Sequence, residues 1–394
     1  MQILKPSYYN KFICTGSLCH ETCCKDWRIE LDQPTYIRYQ KEKSPFGQKL
    51  RAHIKKSKEM NSSLQVFGTI QLANRMCPFL TSDKLCDIYL HLGEEAMCSV
   101  CKDFPRATTY YLNHVEQTMS FACPELVRLI LKDNTPLSFD LEESTTLSSS
   151  KPLSYDLELF NSLWETRLLF INIAQFRTLP LWKRLVFIQI GTDTAQTFID
   201  NHDFSSHSWM DELTQTVESE NTHNKLAILS PQVATKINLL YEYIQQRCNN
   251  GLPTSTMATL IGEFNTLLAE MKKEKTFDFL KALEEEFNTY FAPQEYILEH
   301  YIVNYLYTHL LHALELPDLN FQIFKLFLSY CSIKSLLLAR WKTNNKSLRE
   351  EDILDVLSSF TRTFEHADKI SYTIYTSFKK QGLHTLQHLA SLVL

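Results

Sequence analysis

Along the second half of the chain, apolar residues recur at helical spacing. Between positions 231 and 248, Val233, Ile237, Leu240 and Ile244 fall on one face, the stripe that an amphipathic helix buries. Ser230 stands where a helix is capped, Pro231 at its first position, and Asn249-Asn250-Gly251 supplies a stop. Ser347-Leu-Arg-Glu350 has the form of a capping box, with Ile353, Val356, Leu357 and Phe360 inward in the helix that follows. The same period predicts helices over 157–173, 257–271, 277–291, 294–314 and 320–341, with no repeat at a fixed interval. The first half reads differently. Residues 1–30 sustain neither helical nor strand alternation and suggest a loop wrapped around something. Asp32-Gln-Pro34 opens a helix-compatible run that is interrupted near Pro45 and Gly47. Residues 110–112 and 115–121, separated by Asn113 and His114, predict a β-hairpin that delivers Cys123-Pro124, with a short helix over 125–131. A Ser/Thr-rich stretch with Pro136 and Pro152 predicts a linker over 135–154. The expected fold is mainly α: an irregular cysteine-cluster N-terminal domain with a small β-hairpin over 1–134, then an irregular α-helical domain over 155–394.

Composition changes this picture in three ways. A chain of 394 residues can bury a large core without covalent staples. A net charge of -5 argues against a general nucleic-acid binder, and the basic run Lys41, Lys43, Lys49, Arg51, Lys55, Lys56 and Lys58 reads as a solvated face. The first ten residues lack the pattern of a signal peptide, and no run of about 18 apolar residues is evident. The expectation is a cytoplasmic protein with no membrane partner. In that reducing setting, its 11 cysteines point to metal binding or catalysis more than to disulfides.

Nine of the 11 cysteines lie between Cys14 and Cys123. Four thiolates around one metal or cluster must come from separate turns, because a short segment cannot supply all the corners. Cys19 with Cys23 or Cys24, and Cys98 with Cys101, form closely spaced pairs, whereas Cys77, Cys86 and Cys123 contribute singly. Zinc and a four-iron four-sulfur (4Fe-4S) cluster both accept four cysteines, so spacing leaves the metal open. The Cys-x3-Cys-x2-Cys spacing of radical S-adenosylmethionine enzymes begins at Cys19-x3-Cys23, but Asp26 occupies its third position. With only 8 glycines and neither a GxGxxG nor a P-loop, the usual glycine-rich cradle for a nucleotide is missing. Cys248 and Cys331, on apolar helical stretches, read as buried small hydrophobes. His300, His309 and His312 share a predicted helix without the HExxH carboxylate, and the aromatic run from Tyr301 to Tyr307 reads as core.

The order of these pieces resembles the flagellin lysine-N-methylase family and, more distantly, small zinc- or iron-chelating cysteine-cluster proteins. The resemblance rests on Cys19 to Trp27, Cys77-Pro-Phe-Leu, Leu85-Cys86-Asp-Ile-Tyr89, Cys98 to Arg106 and Ser120-Phe-Ala-Cys123-Pro124-Glu125. The long helical continuation favours the methylase. It implies methyl transfer from S-adenosylmethionine to flagellin lysines by a protein holding a 4Fe-4S cluster. Cys24, Cys77, Cys86 and Cys101 are then the first ligand candidates, with Cys19, Cys23, Cys98 and Cys123 as alternates. An open iron site is one place for the cofactor's amino and carboxylate groups. A lysine amine attacks only when neutral, and its ordinary pKa is about 10.4, so a group must orient it and take its proton. Tyr89 and Asp103 are the candidates, ahead of Asp87, Tyr110 and Tyr111, while Trp27 and Phe104 would cover the cluster. The alternative is a non-enzymatic adaptor that binds zinc or an iron-sulfur cluster.

Overall fold

In the computed structural model, the chain is described at residues 2–57, 66–112, 114–143, 155–204, 208–226, 229, 233–249, 253–274, 278–365 and 368–393. It is mainly α, and among the described residues the strands lie within the first 143 positions. Two small sheets frame the cysteine segments. The first, in order β5-β6-β1-β7, contains β1 (Gln2–Pro6), β5 (Arg106–Tyr110), β6 (His114–Met119) and β7 (Phe139–Glu143). Strand β1 runs parallel to β6, with Gln2 opposite His114, and antiparallel to β7, with Pro6 opposite Phe139. The second sheet, β2-β4-β3, pairs β2 (Ile29–Leu31) and β3 (Ile54–Lys56) with β4 (Gly68–Ile70) between them.

Several expectations need correction. Residues 1–30 are not simply a loop, because β1 is held by partners more than a hundred positions away, and a five-residue alternation cannot reveal such pairing. The hairpin forms, but its first strand begins at Arg106, upstream of the expected 110–112. Part of the expected linker is β7, and residues 144–154 lie outside the described residues. The run after Asp32 becomes two helices, Gln33–Lys41 and Pro45–His53. The Asp32 carboxylate accepts the Thr35 amide at 2.8 Å, and Pro45 begins the second helix rather than breaking the first.

Helix Val233–Asn249 carries the expected stripe, with Ile237, Leu240 and Ile244 buried; Ser230, Pro231 and Gly251 lie outside the described residues. The helix expected from Ser347 begins at Glu350, and the Arg349 amide donates to Asp352 at 2.9 Å. The Asp352 carboxylate, also held by Arg340 at 3.2 Å, fixes the start at this point. Ile353, Val356, Leu357 and Phe360 are buried as expected. The helix expected over 294–314 divides into Tyr296–His309 and a tighter 3-10 turn, Leu310–Leu314.

Helix Leu319–Thr343 forms the axis of the helical half. It is long and apolar enough to cross a membrane, but 94% of its most apolar stretch is buried inside the protein, as expected of a core helix. Around it extends a large hydrophobic core that also takes in Tyr8, Phe12, Tyr111, Met119, Phe121, Leu126 and Ile130 from the N-terminal third. A separate small core lies between Ile29 and Cys98 and includes Leu31, Tyr39, Leu50 and Phe79. The cysteine segments bridge the two, since Cys77 and Cys98 belong to the small core and Cys123 to the large one.

Candidate metal centre

Three of the thiols stand where a short helix begins. Cys86 caps Asp87–Leu92, Cys98 caps Ser99–Asp103 and Cys123 caps Pro124–Leu131. The first amides of a helix point outward without partners of their own. Nearby backbone amides favour the thiolate at all three positions, but burial outweighs them at Cys86 and Cys123, whose thiols are raised, and only Cys98 is held low. Pro124 at the first helical position was a sequence signal for the last of these caps.

The other thiols come from turns tied to one another. The Cys77 amide donates to the Cys24 carbonyl at 2.8 Å, and the Asp26 amide to the Arg75 carbonyl at 2.9 Å, so residues 24–26 and 75–77 form two adjacent rungs. Leu80 pairs with Cys86 in an isolated bridge. Cys23, Cys24, Cys77, Cys86, Cys98 and Cys101 consequently share one neighbourhood. Cys24 feels the charge of Cys77 and Cys86, and Cys101 that of Cys98, Cys24 and Cys23. Cys123 lies beside this group, within the influence of Cys19 and Cys23. All of these cysteines are free of disulfides.

Their electrostatics are uneven. A hydrogen bond from Cys23 holds the Cys24 thiol below its ordinary value, and one from Cys101 does the same for Cys98. The donors, Cys23 and Cys101, are raised accordingly. Burial pushes Cys77 up to about 11 and Cys123 up to about 12. Thiolates are the donors that zinc and iron-sulfur groups share, so this set suits either. Among the described residues no three Cys, His, Asp or Glu side chains are already gathered as ligands of a single ion.

The helical half holds these turns in place. Arg362, from the helix Glu350–Phe364, donates to the carbonyls of Ala122 at 2.8 Å, Thr22 at 3.2 Å and Glu21 at 3.2 Å. It thereby joins the Cys19–Cys24 loop to the segment carrying Cys123. His20 meets Asp355 at 2.8 Å on the same helix, and Thr256 donates to Glu21 at 3.1 Å. Burial raises the Glu21 carboxyl, but the Lys25 hydrogen bond and the charges of Arg362 and Lys25 outweigh it and hold Glu21 below the ordinary carboxylate range. Sequence reasoning missed Glu21 and Arg362. Glu21 was visible as an acid inside a cysteine pair, whereas nothing near Arg362 in sequence marks it. Arg362→Met should destabilise the fold by about 2–3 kcal/mol, because it leaves buried carbonyls without a charged donor. A lower urea midpoint at an unchanged m-value would register this.

Beside the Cys23–Cys24 turn opens a groove of about 460 Å³, lined in part by Asp26, Trp27, Arg28, Ile70, Leu72 and Arg75. Trp27 donates its indole N–H to the Cys23 carbonyl and packs on Phe104 with ring centroids 5.4 Å apart. The two proposed catalytic residues, Tyr89 and Asp103, stand outside this groove. Tyr89 is 52% exposed on helix Asp87–Leu92. Asp103 is exposed at the end of its helix, near Tyr9 and Lys102, and neither residue lines the groove. Asp87 is engaged by Lys49 and His91, and Tyr111 is buried in the large core. Cys331 is buried and Cys248 packs against the large core, as small hydrophobes do. Tyr301, Tyr305 and Tyr307 are likewise core residues.

Residues 167–392 match the family described as FliB lysine N-methylase C-terminal domain. Over 151 residues the chain is 35% identical to a lysine-N-methylase of Salmonella typhimurium, a match covering 38% of this chain and 36% of that protein. A lysine-N-methylase of Salmonella choleraesuis gives the same figures. The match thus spans little more than a third of the length of these two relatives. The flagellar biosynthetic protein FliU of Salmonella muenchen is 34% identical over 145 residues, covering 36% of this chain and 84% of FliU. No solved structure matches the chain significantly. With one family matched across more than half of its residues, and relatives of the same kind at about a third identity, the chain belongs to the FliB lysine N-methylase family.

Proposed function

We propose that this chain is a cytoplasmic protein-lysine N-methyltransferase that transfers the methyl group of S-adenosylmethionine to flagellin, with a 4Fe-4S cluster held by its cysteines. The observation that carries the reading is the gathering of Cys23, Cys24, Cys77, Cys86, Cys98 and Cys101 from separate turns beside an open groove, in a chain of this family. Cys24, Cys77, Cys86 and Cys101 remain the first choice of four ligands, and Cys98 is the leading alternate because its thiol is held low. Cys23 is the neighbour that holds Cys24 low, and Cys19 and Cys123 stand at the border of the group. A cluster bound there would supply redox-active iron at this position.

The net reaction sets the demands on the protein. A nitrogen–carbon bond forms on the lysine, the sulfur–methyl bond of the cofactor breaks, the sulfonium leaves as a neutral thioether, and a proton passes to a base or to water. The lysine must arrive neutral, and apolar walls such as Ile70, Leu72 and Trp27 lower an amine's pKa by disfavouring its charged form. The flagellar name of one relative and the lysine-methylase names of the others support flagellin as the substrate.

The test is anaerobic purification followed by incubation with flagellin and S-adenosylmethionine, read by mass spectrometry. Brown protein containing iron and sulfide should yield lysines heavier by whole methyl groups. Unmodified flagellin, from protein carrying its full complement of iron and sulfide, would sink the activity. Colourless protein with one zinc per chain would favour the metal-binding adaptor instead.

A further inference from the structure

Asp26 and Arg75 occupy the rung next to Cys24 and Cys77. Asp26 follows Cys24 by two positions, Arg75 precedes Cys77 by two, and both line the groove. Their side chains form an ion pair of 2.6 Å, in which the carboxylate is sunk to 5% exposure and the guanidinium stays 39% exposed. Arg75 also donates to the Pro253 carbonyl, which orients its fork.

The backbone at this rung is unusual. Asp26, Asn74 and Arg75 have φ values of 68°, 49° and 66°, in the left-handed region that costs a residue other than glycine about 1 kcal/mol or more. Such conformations persist where the surroundings enforce them, and they concentrate at ligand sites. Here the two rungs do the enforcing.

The lining chemistry selects a ligand. Charged side chains of both signs, Asp26 beside Arg75 with Arg28 also lining the groove, together with Ile70, Leu72 and the Trp27 indole as apolar wall, match a zwitterion on a short aliphatic stem. A volume of about 460 Å³ suits a small molecule. We infer that this groove binds the amino-acid end of S-adenosylmethionine, with Arg75 on its carboxylate, Asp26 on its α-ammonium and the Trp27 face against its sulfonium. The inference rests on the proposed methyltransferase reading and supplies the cofactor contacts that the missing glycine-rich cradle leaves unassigned. It also places the reactive sulfur beside the thiol group without needing an open iron to hold the carboxylate.

Trimming the cofactor tests this. Equilibrium dialysis of the full chain, purified anaerobically, would compare S-adenosylmethionine with its decarboxylated analogue on the native protein, Arg75→Met, Arg75→Lys and Asp26→Asn. A charge-assisted contact corresponds to roughly 10–100-fold in affinity. The native protein should prefer the intact cofactor by that factor, and Arg75→Met should lose the preference. Arg75→Lys should keep part of it, while Asp26→Asn should weaken both ligands and leave their ratio unchanged. Equal binding of the two ligands by the native protein overturns the inference without recourse to any variant. A preference that survives in folded Arg75→Met also overturns it, since the carboxylate would then be held elsewhere, as an open iron would do. If the native protein binds no S-adenosylmethionine at all, the methyltransferase reading falls as well.

Discussion

Replacing Cys24 and Cys98 together with alanine is expected to remove the bound iron and to lower flagellin methylation by more than about 100-fold, since even groups that only support metal ligands are worth about 10–100-fold. These two thiols are chosen because each accepts a hydrogen bond from a neighbouring cysteine and is thereby held toward thiolate. They also lie on different turns, so losing both cannot be repaired from one side. Cys248→Ala provides the contrast, because its thiol packs on the edge of the large core away from the cysteine turns. That variant should retain iron, absorbance and activity. Iron and sulfide assays, the visible spectrum and methylated-lysine mass spectra would check the pair. Full iron content in the double variant would remove both residues from the ligand set.

The second large effect concerns the joint between sheet and helices. Arg167 clasps Glu116 of β6 with bonds of 2.6 and 2.9 Å and donates to the Tyr307 carbonyl at 3.1 Å, with both charged side chains almost fully buried. Arg167→Leu should destabilise the fold by about 3–5 kcal/mol, because it strands a buried carboxylate. Replacing Glu116 with leucine as well should recover much of the loss, since an apolar pair of similar volume avoids the desolvation cost. Burial works to raise the Glu116 carboxyl, but the charge and hydrogen bonds of Arg167, with help from His114, hold it below its ordinary value. A depressed carboxyl contributes stability that is complete above the unfolded pKa of about 4.3 and is lost as the pH falls through the folded value. The native protein should therefore lose stability on acidification below about pH 4, and the double leucine variant should lose this part of the dependence. Urea unfolding at several pH values would measure both effects.

What could be read from the sequence follows the range of the forces involved. Helices with a clean stripe, such as the one carrying Ile353, Val356, Leu357 and Phe360, were legible because their period is local. So were the cysteine segments, since thiol spacing is written in the chain itself. The helix Leu181–Asp200 passed unmarked because Arg184–Gln189 is buried on every side, so its polar stripe, Asp193, Thr197 and Asp200, is confined to the second half. The three-residue strands β2, β3 and β4 are too short to alternate, and only their mutual pairing defines them. The candidate site divides in the same way. Its thiols were foreseen, whereas the Asp26–Arg75 rung, the Arg362 clasp and the helix caps at Cys86 and Cys98 depend on segments meeting in space.

The place of β1 between β6 and β7 has a consequence during synthesis. Gln2–Pro6 is the first described strand to leave the ribosome, yet its neighbours begin at His114 and Phe139. At about 5–20 residues per second, it waits several seconds with both edges unpaired while the cysteine turns emerge. During that interval its backbone is open to strands of other nascent chains. Slower translation between residues 6 and 139 should therefore raise aggregation of the newly made protein rather than relieve it.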